Sequence, residues 1–260
     1  TSVLPTAVLS THTGGFTGFT YRDLTDDLLP MAEHWKQVGC RFQSLYSGFL
    51  GSAGQIGLVE QIFDWFREEN TLVMVDPVMG DGGKLYKTYT PEMASGMARL
   101  CGRADIVVPN MTEAHHLLER EYDPGPYTRQ QIEGILKGLC ALGPRMAVLT
   151  GVWLKEGSLG TACYDAATGE AELYLTDRIE GFYHGTGDLF ASALLGGLLN
   201  GMSLNAACET ATEFTWRTIE TTHEKCADHR FGPKFECHLP WLGEKMEACR
   251  KTIANPVDLR

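Results

Sequence analysis

Three short apolar runs, residues 71–75 (TLVMV), 105–108 (DIVV) and 146–150 (MAVLT), restrict this chain more than any other feature. Runs this short with no polar alternation fit strands covered on both faces, and strands alternating with helices form a mainly parallel sheet through right-handed crossovers. The segments around them have helical spacing. Leu24, Leu28, Met31, Trp35 and Val38 mark a helix over 24–38, and Ile56, Val59, Ile62, Phe63 and Phe66 mark the inner face of one over 55–68. Further helices are expected over 91–101, 112–120 and 128–142, and earlier strands over 5–10 and 41–50. After Gly151 the pattern alternates over 160–164 and 172–176 around a turn from Asp165 to Gly169, which predicts an antiparallel hairpin at the sheet edge. A helix over 204–222 follows, and residues 223–260 read as irregular.

Residues 184–199, HGTGDLFASALLGGLL, stand apart. Gly185 and Gly187 flank Thr186, Asp188 follows, and an apolar helix begins. Glycines can turn successive N–H groups into one concavity at a helix start, which binds anions. Asp188 would then lie beside a bound phosphate, placed to take a proton from a hydroxyl. The same residues also fit a glycine turn with Asp188 as N-cap of a buried helix. Two other glycine motifs fail: GxGxxG has Phe190 at its sixth position, and the Walker pattern has Val78 for its first glycine and Leu85 after Gly83-Lys84.

Ligands of open α/β sheets bind beyond the carboxyl ends of the strands. Polar residues fall there in this chain: Thr13, Ser47 to Phe49, Asp76, Asn110 with Glu113, Thr150, and Asp188 after the hairpin. Each alone fits a cap or turn. Together they suit phosphoryl transfer, which needs N–H donors and a cation on the phosphoryl oxygens, carboxylates for Mg2+, and a base for the attacking hydroxyl. Gly185 to Gly187 are candidate donors, Asp76, Asp81 and Glu113 candidate metal organisers, and Lys84 a candidate counter-charge. The aspartates and Lys84 lie in or before the loop DPVMGDGGKLY, which begins at Asp76.

Composition narrows the partners. A net charge of −11 argues against a nucleic-acid surface. No apolar run reaches membrane-spanning length, since Asn200 interrupts the longest candidate, and the N-terminus lacks a signal pattern. A cytoplasmic protein without membrane contact is expected. Eight scattered cysteines with no CxxC pair read as buried free thiols. His223, Cys226, His229, Cys237 and His238 are all potential zinc ligands, but their spacing matches no closed zinc pattern.

Nearly the whole chain resembles the ribokinase-like superfamily, and within it the pyridoxal/pyridoxamine kinases. Gly185-Thr186-Gly187-Asp188 is similar to the anion hole and catalytic aspartate, and Asp76-Pro77-Val78-Met79-Gly80-Asp81 to the loop near the ATP phosphates. Asn110-Met111-Thr112-Glu113 is similar to the NxxE element that organises magnesium, and Ser10-Thr11-His12-Thr13-Gly14 to a Ser-Asn-His-Thr-Gly stretch near the pyridine ring. Ser47-Gly48-Phe49 resembles a Thr-Gly-Tyr element. The resemblance implies a three-layer α/β/α sandwich, with residues 1–260 forming one kinase domain that lacks the family's first strand and helix.

The implied reaction is ATP-dependent phosphorylation of the 5′-hydroxymethyl group of pyridoxal, pyridoxamine or pyridoxine. Asp188 would be the base, and Gly185, Thr186 and Gly187 would hold the developing charge. Asp76, Asp81, Lys84, Asn110, Glu113 and Thr150 would bind nucleotide and Mg2+, with Asp76 and Glu113 at the metal and a monovalent cation as a further candidate. Thr13 and Phe49 would cradle the ring, and the resemblance implies a homodimer. The chain departs from many relatives at Val108 and Gly151, where they carry hydroxyls. The alternatives are a hydroxymethylpyrimidine (phosphate) kinase and a non-catalytic nucleotide or vitamin sensor.

Overall fold

The computed structural model describes residues 1–86, 89–226 and 228–252. Its centre is a sheet built from β3 (Ser44–Ser47), β4 (Leu72–Val75), β7 (Ile106–Val107), β8 (Met146–Val152), β9 (Ser158–Asp165) and β10 (Glu170–Asp177). The strand order is β10-β9-β8-β7-β4-β3. β3, β4, β7 and β8 are parallel, and β9 and β10 form the antiparallel edge hairpin.

Side-chain alternation along the parallel strands divides the core. Val73, Val75, Val107, Ala147 and Leu149 face one layer, while Met74, Ile106, Val108, Met146 and Val148 face the other. Because β3, β4, β7 and β8 lie side by side in chain order, crossovers of one hand place their connecting helices on one face. That face carries α1 (Thr25–Gln37), α2 (Ala53–Phe66), α3 (Pro91–Cys101), α4 (Met111–Leu117) and α5 (Arg129–Ala141). The opposite face is covered by α6 (Thr186–Leu199), α7 (Leu204–Lys225) and α8 (Leu239–Thr252). Local sequence starts most of these helices: the side chains of Ser52, Thr90, Asn110, Thr128 and Ser203 each accept an N–H from the first turn of the helix that follows.

Four expectations change. The first strand does not join the central sheet: β1 (Ala7–Leu9) pairs antiparallel with β2 (Tyr21–Asp23) as a separate flap, so Thr13 lies in a flap loop and not at the end of a sheet strand. The loop after Asp76 contains a small hairpin, β5 (Gly80–Asp81) and β6 (Lys84–Leu85), which turns through left-handed Gly82 and Gly83. Residues 223–225 continue α7, and much of the remaining chain is helical. In α8, Trp241, Leu242, Met246 and Cys249 pack on the α6 and α7 core, and Arg217 and Lys245 lie over the Trp241 ring. Charged residues between those apolar positions hide the helical stripe. Ala227 and residues 253–260, also expected to be irregular, lie outside the described residues. Finally, all eight cysteines are free, but while Cys101, Cys163 and Cys208 are buried, Cys237 is exposed.

Candidate functional site

The loop after β4 is held in place by the start of α4. Asn110 and Glu113 form a capping box, in which Asn110 Oδ1 accepts the Glu113 N–H at 3.0 Å and Glu113 Oε2 accepts the Asn110 N–H at 2.8 Å. Both residues also reach across to the loop. Glu113 Oε1 accepts the Met79 N–H at 3.0 Å, Asn110 Nδ2 donates to the Gly80 carbonyl at 2.8 Å, and Thr112 Oγ1 accepts the Gly83 N–H at 2.9 Å. The hairpin that carries Asp81 and Lys84 therefore has a fixed position relative to the strand ends. Thr150 lies beside this clamp, bridged to Asn110 through the backbone, and Gly151 after it takes φ +72° where β8 bulges.

The glycine turn opens α6 as an uncapped helix end. Gly185 is the N-cap in the left-handed region, φ +89°, with no side-chain cap bond. Gly187 is not left-handed, so Gly185 alone makes the turn. Thr186 Oγ1 donates to the Tyr183 carbonyl at 2.9 Å and closes the turn from below. Asp188 is the third residue of α6 and not its N-cap, so its carboxyl is not spent on capping.

Asp188 and Asp76 act on each other. Burial first, and then the Asp188 charge, push the Asp76 carboxyl up to about 7. Burial and the Asp76 charge also raise Glu113 well above the usual carboxylate range, against the backbone N–H groups it accepts. Partial burial raises Asp188. Two phenols mark where these charges converge. Tyr46, its phenol raised first by burial, senses Asp76 and Asp188, and Tyr86, pushed up to about 12 mainly by burial, senses Glu113, Asp81, Asp76 and Asp188. Sequence reasoning missed both; for Tyr46 the available signal was its position one residue before the strand end at Ser47.

Such an acidic edge fits a hard divalent cation. Among the described residues no three acidic, histidine or cysteine side chains gather closely enough to hold a metal unaided. Mg2+ is commonly held by one or two carboxylates together with substrate phosphates, and this edge could supply such a carboxylate. Asp76 fits as a direct ligand, whereas Glu113, with both oxygens already accepting backbone N–H groups, fits as the organiser of the loop.

A pH dependence follows. The Asp76 pKa is about 7 in the folded chain against a model-compound value of 3.8, so its stabilising contribution is complete below the lower value and lost as pH rises through the upper one. The Tm of cation-free protein should therefore fall between about pH 4 and about pH 7, and Mg2+ should raise it more at the alkaline end. Asp76→Asn should flatten that fall. Thermal melts across pH, with and without Mg2+, check this.

Ring-binding residues are placed less tightly. Phe49, 38% exposed, lines a cavity of about 400 Å3 together with Tyr46 and Ser47 of β3. Ser47 is 7% exposed and its Oγ has no hydrogen-bond partner, which makes it a hydroxyl available to a ligand. Thr13 is exposed in the flap loop and does not line this cavity, and Lys84 is exposed on its hairpin. Two of the potential zinc ligands are otherwise engaged: His223 pairs with the Tyr183 hydroxyl and His238 with Thr221, both at 2.8 Å.

A mainly parallel sheet between two helical layers, an antiparallel edge hairpin and a left-handed glycine turn opening the next helix define a ribokinase-like α/β protein. The phosphomethylpyrimidine kinase family matches residues 38–233, and the chain belongs to that family. A Bacteroides thetaiotaomicron protein described as a phosphomethylpyrimidine kinase, solved in a form with pyridoxal, is 34% identical with a TM-score of 0.88 over 92% of this chain and 84% of its own. Pyridoxal kinase from Lactobacillus plantarum is 30% identical with a TM-score of 0.80, covering 96% of this chain and 85% of its own. A pyridoxine/pyridoxal/pyridoxamine kinase from Bordetella avium is 29% identical over 189 residues, 69% of this chain. The chain spans 60% of that relative's length.

Proposed function

We propose that this protein transfers the γ-phosphoryl group of ATP to the 5′-hydroxymethyl group of a B6 vitamer. The observation that carries the reading is Asp188, free of any capping role, beside Asp76 and at the mouth of an uncapped helix that opens with left-handed Gly185. Asp188 takes the proton of the substrate hydroxyl as its oxygen attacks the γ-phosphorus and the bond to the ADP oxygen breaks. The N–H groups around Gly185, Thr186 and Gly187 receive the charge that develops on the phosphoryl oxygens. Bound Mg2+ supplies neutralisation of the β- and γ-phosphates, with Asp76 to hold it. Asn110 and Glu113 keep the loop carrying Asp81 and Lys84 against those phosphates, and Thr150 lies at the adjoining strand end. On the family resemblance Thr13 and Phe49 contact the pyridine ring, with Thr13 on the flap outside the cavity that Phe49 lines with Ser47.

The vitamer reading draws support from the pyridoxal form of the Bacteroides relative and from the two relatives named for B6 kinases. The family description favours a second reading, a hydroxymethylpyrimidine or hydroxymethylpyrimidine phosphate kinase. On the family resemblance, the proposal extends to one kinase domain over residues 1–260, a homodimer, and work in the cytoplasm; among the described residues no helix is long and apolar enough to cross a membrane.

Coupled ADP detection with pyridoxal, pyridoxamine, pyridoxine, hydroxymethylpyrimidine and its phosphate tests the assignment. ADP release with the pyridine alcohols is the expected result, and release only with the pyrimidines would transfer the assignment to the second reading. Vitamer binding with no turnover of any alcohol would make the protein a sensor.

A further inference from the structure

The flap loop and the glycine turn, far apart in the chain, meet on the ring of His184. A Cβ built on Gly14 would lie 2.3 Å from Cε1, 2.6 Å from Nδ1 and 2.7 Å from Nε2 of that ring. Gly14 does not have a left-handed backbone, so the ring and not the backbone angle requires glycine there. His12, two residues earlier, packs its own ring against His184 with centroids 4.7 Å apart.

His12 is itself locked. Its Nδ1 accepts the Gly14 N–H at 3.2 Å, so its proton resides on Nε2, which donates to the Arg230 carbonyl at 2.6 Å. Arg230 returns to the flap, 3.5 Å from the Gly15 carbonyl and with its guanidinium 5.3 Å from the Phe16 ring centroid, while Phe16 packs edge-on against Phe231. Thr13 is therefore bracketed by the two flap residues that rest on His184. On its other side, His184 is joined directly to Gly185, the N-cap of α6. Burial and His12 hold the His184 imidazole toward its neutral form, opposed by Asp81.

We propose that His184 is a substrate-positioning residue: its ring is the contact through which the flap, with Thr13, is registered against the Gly185 turn. This rests on reading Thr13 as a vitamer contact and residues 185–188 as the phosphoryl site. An alcohol held by the flap is then aligned with Asp188 through one imidazole, and a shift of that ring moves acceptor and phosphoryl site apart. Displacement of about 1 Å is enough to cost catalysis heavily.

The test is a double-mutant cycle of Gly14→Ala and His184→Ala, read in two ways on the full chain. With pyridoxal as substrate, Gly14→Ala should raise KM about tenfold while KM for ATP stays within about twofold, because the added methyl wedges the flap off the ring. In the His184→Ala background the same methyl has room, so adding Gly14→Ala should change KM by less than about twofold. Hydrogen exchange of residues 10–20, which needs no turnover, should rise in each single variant and rise no further in the double. Equal Gly14→Ala penalties in both backgrounds, or additive exchange effects, would overturn the proposal. A chain inactive toward every alcohol, with non-additive exchange and non-additive pyridoxal affinity, would reject the kinase reading and uphold the coupling.

Discussion

Replacing Asp188 by Asn is expected to lower turnover by about 10² to 10⁴-fold, the usual size of a general-base contribution, with little change in ATP affinity. The substitution keeps the shape of the side chain and removes its ability to accept the hydroxyl proton. The turn is undisturbed, because Gly185 forms it by backbone conformation and Asp188 makes no cap bond. One further consequence separates this loss from misfolding. Because the Asp188 charge helps to raise Asp76, removing it should lower the apparent pKa of Asp76 from about 7 and move the melting profile to lower pH. Single-turnover rates with nucleotide titration measure the first effect, and melts across pH the second. Turnover within a few-fold of wild type would remove Asp188 from the mechanism.

Glu113→Ala is expected to be the most damaging change to the loop. Glu113 is 3% exposed, and its carboxylate accepts the N–H groups of Asn110 and Met79. Each buried donor left unpaired costs about 1 to 3 kcal/mol, and removing a raised, desolvated carboxylate offsets part of the sum. A net loss of about 2 to 4 kcal/mol in chemical denaturation is expected. Function should suffer further, since the clamp positions Asp76 and the hairpin without being free to bind metal directly; apparent Mg2+ affinity should fall about 10 to 100-fold, as for other residues that orient a metal site. Glu113→Gln, which can still accept one of the two N–H groups, should lie between wild type and Ala on both scales. Unchanged Mg2+ dependence in a folded Glu113→Ala protein would remove the clamp from the site.

The same two residues illustrate how far the sequence could be read. The anion turn was visible because it is local: two glycines, a hydroxyl, a carboxylate and an apolar helix are contiguous, and their conformations follow from short-range sterics. Glu113 was visible as a polar residue just beyond a strand end and in the NxxE element; the capping box it forms with Asn110, three residues away, has an equally local signature that the reading did not use. Its second task, accepting the Met79 N–H from a loop more than thirty residues away, has no local signature. Tyr46 likewise reads as an ordinary strand residue until folding brings it into the field of Asp76. The flap was misplaced because a three-residue strand carries no information about its partner, and α8 was missed because its apolar face is diluted by charge.

By itself, then, the sequence determined most element types as far as residue 222, the parallel run through residues 71–75, 105–108 and 146–150, and the polar strand ends, since these follow from side-chain period and backbone preference over a few residues. Tertiary structure alone decided what faces what: Asp76 against Asp188, the loop against Glu113, and Gly14 against the ring of His184. Those contacts join residues whose separation along the chain exceeds any local period, so they exist only once the sheet has set the elements side by side.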